Sequence, residues 1–127
     1  MEISCIFVVD DSESDQFISK ITIESHNPNI VVLSAYDGQE ALEMLASGEC
    51  KPDLIFLDIN MPRMNGHEFL EQYNKKIDQQ AVVMMLTSSE QEVDRERSIA
   101  YPCVKTYLIK PLDESQLEPI CKVLGDN

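Results

Sequence analysis

Asp53-Leu54-Ile55-Phe56-Leu57-Asp58-Ile59-Asn60-Met61-Pro62-Arg63-Met64-Asn65-Gly66 is the stretch that decides the fold. Leu54 to Leu57 is a short apolar run, with Pro52-Asp53 before it and a Pro/Asn/Gly cluster after it. An unbroken run of that length between turn residues reads as a strand buried on both faces, as in parallel sheets. The first residue beyond it is a carboxylate, Asp58. Ligands of open parallel sheets sit outside the carboxyl ends of the strands, which is where Asp58 stands. Met61-Pro62 and Asn65-Gly66 then punctuate a rigid loop before a helical pattern resumes. Taken by itself, Asp58 is either a functional carboxylate or the cap of a turn.

The same alternation extends in both directions. Upstream, Ile3 to Val9 is an apolar strand ending in Asp10-Asp11, and Phe17, Ile18 and Ile21 mark the inner face of the helix that follows. Ile30-Val31-Val32-Leu33 is a second strand and Asp37-Gly38 a turn. Ala41, Leu42 and Leu45 stripe the next helix, which Gly48 ends. Downstream, Phe69, Leu70 and Tyr73 stripe a helix starting near Gly66, and Ala81 to Leu86 is a fourth strand running into Thr87-Ser88-Ser89. Ser89 and Glu92 have capping-box spacing for a fourth helix, a polar one with only Val93, Ile99 and Ala100 to bury. Val104 to Ile109 is a fifth strand, stopped by Lys110-Pro111. Asp113 caps a last helix with Leu117, Ile120, Cys121 and Leu124 on one face, and Pro119 is expected to kink that helix or confine it to one side. Strand and helix alternate five times, so the chain is an α/β protein with right-handed crossovers, a doubly wound parallel sheet covered on both sides.

At 127 residues, 43% hydrophobic and 26% charged, the chain is expected to be one domain, 1–127, with an ordinary core. Its net charge of −13 opposes contact with nucleic acid or anionic lipid. No apolar run approaches membrane-spanning length and no signal peptide opens the chain. Cys5, Cys50, Cys103 and Cys121 lack metal or redox spacing and read as buried thiols of a reducing, cytoplasmic compartment. His26 and His67 have no partner at catalytic or metal spacing and are expected at exposed positions.

Chemistry gathers at the strand ends. Asp10 and Asp11 follow the first strand, Asp58 the third, Thr87 the fourth and Lys110 the fifth. In a sheet of order 2-1-3-4-5 the first and third strands are neighbours, so three carboxylates converge and repel. A hard divalent cation resolves this, and Mg²⁺ suits a few carboxylates, a carbonyl and waters. Three carboxylates, one Mg²⁺ and Lys110 sum to zero. The bland readings are helix caps for Asp10 and Asp11, a surface lysine for Lys110, an N-cap for Thr87 and a core aromatic for Tyr107.

Asp10-Asp11, the run from Leu57 to Gly66 (L-D-x-x-M-P-x-M-x-G), Thr87-Ser88 and Tyr107-Leu108-Ile109-Lys110-Pro111, taken in this order, resemble the receiver domain of two-component response regulators. The resemblance covers essentially the whole chain and implies a flavodoxin-like (βα)₅ three-layer sandwich. It further implies Asp58 as phosphoacceptor, and Asp10, Asp11, Asp58 and the Asn60 main-chain carbonyl as the Mg²⁺ site. Thr87 and Lys110 would contact phosphoryl oxygens, Tyr107 would change rotamer, and the bond before Pro111 would be cis. Ala100-Tyr101-Pro102-Cys103 departs from the Gly-Ala pair that many receivers carry before the fifth strand.

The implied function is a stand-alone phosphorelay switch rather than an enzyme, though it assists its own phosphorylation and dephosphorylation. It would be phosphorylated by a sensor histidine kinase or a histidine phosphotransfer protein and signal to a downstream protein target. A phosphorylation-dependent homodimer is a further partner reading, with output through helix four, strand five and helix five. The chain stops at Asn127, just past the last helical pattern, so no output domain is expected. Two other classes stay open: a phosphatase working through an aspartyl-phosphate, against which Asn60 cannot serve as a general acid, and a receiver-like binding module that is never phosphorylated. A small phosphodonor such as acetyl phosphate separates them by stoichiometric labelling, turnover or neither.

Overall fold

The computed structural model describes residues 3–49, 51–75 and 81–125. Within them strands and helices alternate: β1 (Cys5–Val9), α1 (Glu13–His26), β2 (Val31–Ala35), α2 (Gly38–Ser47), β3 (Leu54–Leu57), α3 (Gly66–Tyr73), β4 (Val82–Thr87), α4 (Glu92–Ile99), β5 (Val104–Ile109) and α5 (Glu114–Gly125). All strands pair in parallel, in the order β2-β1-β3-β4-β5. The expected doubly wound flavodoxin-like sandwich is the observed one.

Strand alternation divides the core into two layers. Phe7, Val9, Ile55, Leu57, Val83 and Met85 pack with Ala41, Phe69, Leu70 and Tyr73 of α2 and α3. Ile6, Val8, Leu54, Phe56, Met84 and Leu86 pack with Ile23 and Leu117 of α1 and α5. The parity runs past the strand ends, where main-chain bonds continue the ladder: Asp10 N–H to Ala35 O at 3.0 Å, Asp58 N–H to Val9 O at 3.0 Å and Lys110 N–H to Thr87 O at 2.9 Å. Asp10, Asp58 and Lys110 thus continue the α1/α5 side of the sheet, whereas Thr87 continues the side of Val83 and Met85.

Two helices depart from their apolar patterns. In α1 the stripe faces outward: Phe17, Ile18 and Ile21 are exposed, and Gln16, Ser19 and Ile23 are buried. The cause is Gln16, whose amide nitrogen lies 2.9–3.0 Å from the carbonyls of Val8, Asp10 and Ala35. Buried carbonyls at the strand ends need donors, and supplying them outweighs the burial of a few apolar side chains. Helix α4 buries Ser98, while Val93, Ile99 and Ala100 are exposed. Its N-cap is Gln91, not Ser89, and the expected capping box does not form because Asp94 takes the Ser89 hydroxyl at 2.6 Å. Helix α5 keeps its apolar face and continues past Pro119 on both sides, with Leu117 buried and Ile120 and Cys121 half-buried; the side chain of Leu124 lies outside the described residues.

Asp37 and Gly38 form no free turn. Asp37 caps α2 by accepting the Glu40 N–H at 2.8 Å, and its carboxylate also receives Arg63 Nε at 3.0 Å. That bridge pins the loop after β3, in which Arg63 holds a left-handed backbone at φ 61°. The thiols of Cys5, Cys103 and Cys121 are free and half-buried rather than fully buried, and Cys50 lies outside the described residues.

Gly66 closes the same loop, its N–H bonding Ile59 O at 2.8 Å. A Cβ there would collide with the Asp58 carbonyl oxygen and stand 2.9 Å from Ile59 Cα. Both obstacles are main chain and cannot rotate away. Gly66→Ala is therefore expected to cost roughly 2 kcal/mol or more, read as a lowered midpoint in urea unfolding with an unchanged slope.

Candidate functional site

The carboxyl edge of the sheet brings Asp10, Asp11 and Asp58 together, with one oxygen from each lying within 4.8 Å of the others. Asp10 and Asp58 are buried and Asp11 is exposed. Ser12, the N-cap of α1, donates its N–H to Asp10 Oδ1 at 2.9 Å, and Ile59 N–H donates to Asp58 Oδ1 at 2.7 Å. Lys110 enters from β5 and places its ammonium 2.8 Å from Asp10, 2.8 Å from Asp58 and 2.8 Å from Asp15 on α1. A lysine on the surface would be free of such contacts, so that reading of Lys110 fails.

The electrostatics follow from burial. Desolvation raises the Asp10 carboxyl above the usual range, against the opposing pull of Lys110 and the Ser12 N–H. Burial alone would depress the Lys110 ammonium, but the hydrogen bonds it donates to Asp10, Asp15 and Asp58 outweigh that and hold the ammonium well above its usual value. Three converging hard oxygens, one of them exposed, are a donor set that fits a hard divalent cation.

Asn60, Thr87 and Tyr107 make no hydrogen bond to the three carboxylates among the described residues. Asn60 is exposed, two residues past Asp58. Thr87 is fully buried, and its hydroxyl oxygen accepts the Ser89 N–H at 3.2 Å. Tyr107 is half-buried and its hydroxyl donates to Ser89 O at 2.9 Å. The Lys110–Pro111 peptide bond is cis.

Sequence reasoning missed two features. Asp15 is one, and its only signal is an aspartate in the first turn of the helix that starts at the cleft. The other is His67, which is buried instead of exposed, with Nε2 3.1 Å from Asp94 Oδ1. The Ser89 hydroxyl and His67 hold the Asp94 carboxyl below its usual range, so it accepts only and Nε2 carries the proton. Nδ1 has no partner among the described residues. His67, Asp94, Ser89 and Tyr107 thus form one polar chain from α3 through α4 to β5. Nothing in a single sequence pairs residues 67 and 94.

The response regulator receiver domain family matches residues 6–122. The protein PilH of Pseudomonas aeruginosa is 34% identical over 116 residues, which span 88% of this chain and 89% of PilH. The sensor histidine kinase CheAY of Helicobacter pylori is 32% identical over 120 residues, 92% of this chain but 14% of that much longer protein. Among solved structures, a two-component response regulator from Legionella pneumophila superposes with a TM-score of 0.87 at 28% identity, covering 98% of this chain and 99% of that one. Another, from Cytophaga hutchinsonii, shares the fold over 100% of both chains with a TM-score of 0.88 at 23% identity. No helix among the described residues is long and apolar enough to cross a membrane.

Asp94 carries a pH signature. A carboxyl held below its unfolded value of 3.8 contributes stability that is present above that pH and is lost as pH falls through the folded value. Asp94→Asn is expected to lower Tm at pH 7 by roughly 4 °C, from about 1 kcal/mol of hydrogen bonding. Thermal melts of both proteins should converge as pH drops below that unfolded value.

Proposed function

The chain belongs to the response regulator receiver domain family, and from that premise we propose that Asp58 accepts a phosphoryl group from a phosphohistidine on a sensor histidine kinase or histidine phosphotransfer protein. One observation carries this reading above the others: Asp58 is a buried strand-end carboxylate with an ammonium at 2.8 Å and two further carboxylates gathered beside it. In the transfer, the phosphorus–nitrogen bond of the phosphohistidine breaks as a bond forms to an Asp58 carboxylate oxygen. The electron pair of the broken bond stays on the imidazole. Asp10, Asp11, Asp58 and the Asn60 main-chain carbonyl would hold Mg²⁺, which neutralises charge on the phosphoryl oxygens when bound.

The chain's own residues do the rest. Lys110 already stands at Asp58 and would follow the charge onto a phosphoryl oxygen. The Thr87 hydroxyl oxygen accepts from Ser89 N–H and so keeps its own proton free to donate. If Thr87 turns to the phosphoryl group, the Ser89 segment follows, and the Tyr107 hydroxyl loses or keeps its acceptor with it. The output would then leave through α4, β5 and α5, to a downstream protein target or a second copy of the chain. The exposed Phe17, Ile18 and Ile21 give α1 an apolar surface on which the phosphodonor would dock. Self-assisted phosphorylation and hydrolysis, without turnover of a separate substrate, is the activity this arrangement supports. The free thiols suit a reducing, cytoplasmic setting.

Asp58→Asn is expected to fold with an unchanged circular dichroism spectrum yet take up no hydroxylamine-labile phosphate from acetyl phosphate. Labelling that survives the substitution would remove Asp58 from the role. Asp11→Asn should weaken Mg²⁺ binding about tenfold or more, measured by titration calorimetry. Asp10→Asn should weaken it less, since Lys110 and the Ser12 N–H already occupy that carboxylate.

A further inference from the structure

Asp15 stands outside the three-carboxylate cluster but not outside its electrostatics. An ammonium has three N–H donors. Those of Lys110 are matched by three carboxylate oxygens, from Asp10, Asp15 and Asp58, each at 2.8 Å. The ammonium has no proton to spare for a new anion unless one partner lets go. The three differ in what they lose by letting go. The side chains of Asp10 and Asp58 are 2% and 7% exposed, whereas that of Asp15 is 35% exposed. A released Asp10 or Asp58 would be a buried charge left with one main-chain N–H donor, but a released Asp15 is hydrated at once.

Asp15 is also free to move without disturbing the fold. It lies in the first turn of α1, where its main-chain N–H is held by Ser12 Oγ at 3.2 Å. Its side chain can rotate to solvent while that cap stays in place. A carboxylate in a helix's first turn remains favourable there in either pose.

The charge sum points the same way. With Asp15 included, four carboxylates face one ammonium and one divalent cation, leaving the loaded site one negative charge instead of neutral. A phosphoryl group adds roughly two more. We propose that Asp15 is a positioning residue that occupies the third proton of Lys110 in the resting protein, and that an anion bound at Asp58 must displace it. Asp15 thereby acts as a brake: it opposes phosphoryl uptake and favours phosphoryl loss. This rests on the reading of Asp58 as the acceptor.

Beryllofluoride, a phosphoryl mimic, added to the Mg²⁺-loaded full chain measures the competition without any transfer chemistry. Asp15→Asn should bind it roughly tenfold more tightly, as expected for removing a nearby like charge in a partly screened site. Asp15→Glu keeps the charge within reach of Lys110 and should stay near the wild-type affinity. Glu13→Gln removes an exposed charge from the same helical turn and should change affinity less than twofold, separating direct competition from net charge. The ¹⁵N-detected ammonium signal of Lys110 should exchange with water faster in Asp15→Asn before any ligand is added. Unchanged or weaker binding by Asp15→Asn, or an equal gain in Glu13→Gln, overturns the proposal while leaving the acceptor assignment intact. No uptake by the wild type and all variants overturns the acceptor assignment, and the brake with it.

Discussion

The ammonium of Lys110 is what the carboxyl edge of this sheet depends on. Asp10 and Asp58 are both buried, on adjacent strands, with carboxylate oxygens close enough to share a cation. Two such groups cannot both stay ionised in a dry site without a counter-charge. Lys110 supplies it from β5, across β4 and β3, and reaches Asp15 on α1 as well. A single side chain therefore ties the first strand, the third strand, the fifth strand and the first helix. The backbone makes this possible. Each of Asp10, Asp58 and Lys110 is fixed by one main-chain bond to the neighbouring strand, so the pleat turns all of them to the same side.

What was legible in the sequence was the part governed by apolar periodicity. Leu54 to Leu57 is wholly buried, and the parallel sheet follows from alternation with helices. The strand-end positions of Asp10, Asp11, Asp58, Thr87 and Lys110 follow in turn, because a residue just past a buried run has only the sheet edge to occupy. What was not legible was whatever a hydrogen bond decided against the apolar pattern. Gln16 rolls α1 by presenting its amide to strand-end carbonyls, and so turns Phe17, Ile18 and Ile21 outward. Capping-box spacing at Ser89 and Glu92 failed for the same reason, since a charged acceptor at Asp94 holds the hydroxyl. Periodicity records which side chains are apolar; it carries no record of which carbonyls lack a donor.

Helix α4 is held in an unusual way for a helix of a doubly wound domain. Its one buried side chain is Ser98, whose hydroxyl donates to Asp94 O at 2.8 Å within the helix itself. Its tie to α3 runs through the Asp94 carboxylate to His67, and its tie to the loop after β4 runs through the same carboxylate to Ser89. Hydrogen bonds of this kind contribute about 1 kcal/mol each in net terms and can be traded for bonds to water. A packed apolar face of several large side chains would resist displacement far more strongly. The same loop carries Thr87 at one end and gives Tyr107 its acceptor at Ser89. A change in what Thr87 bonds is thus felt by a helix whose fastening is cheap to exchange, next to a strand whose aromatic hydroxyl shares that fastening. Helices α2 and α3, by contrast, pack Ala41, Phe69, Leu70 and Tyr73 on Phe7, Ile55 and Leu57. In the proposed role, the direction in which a signal leaves the domain is set by this contrast: apolar packing holds one side still, and a short polar chain lets the other side move.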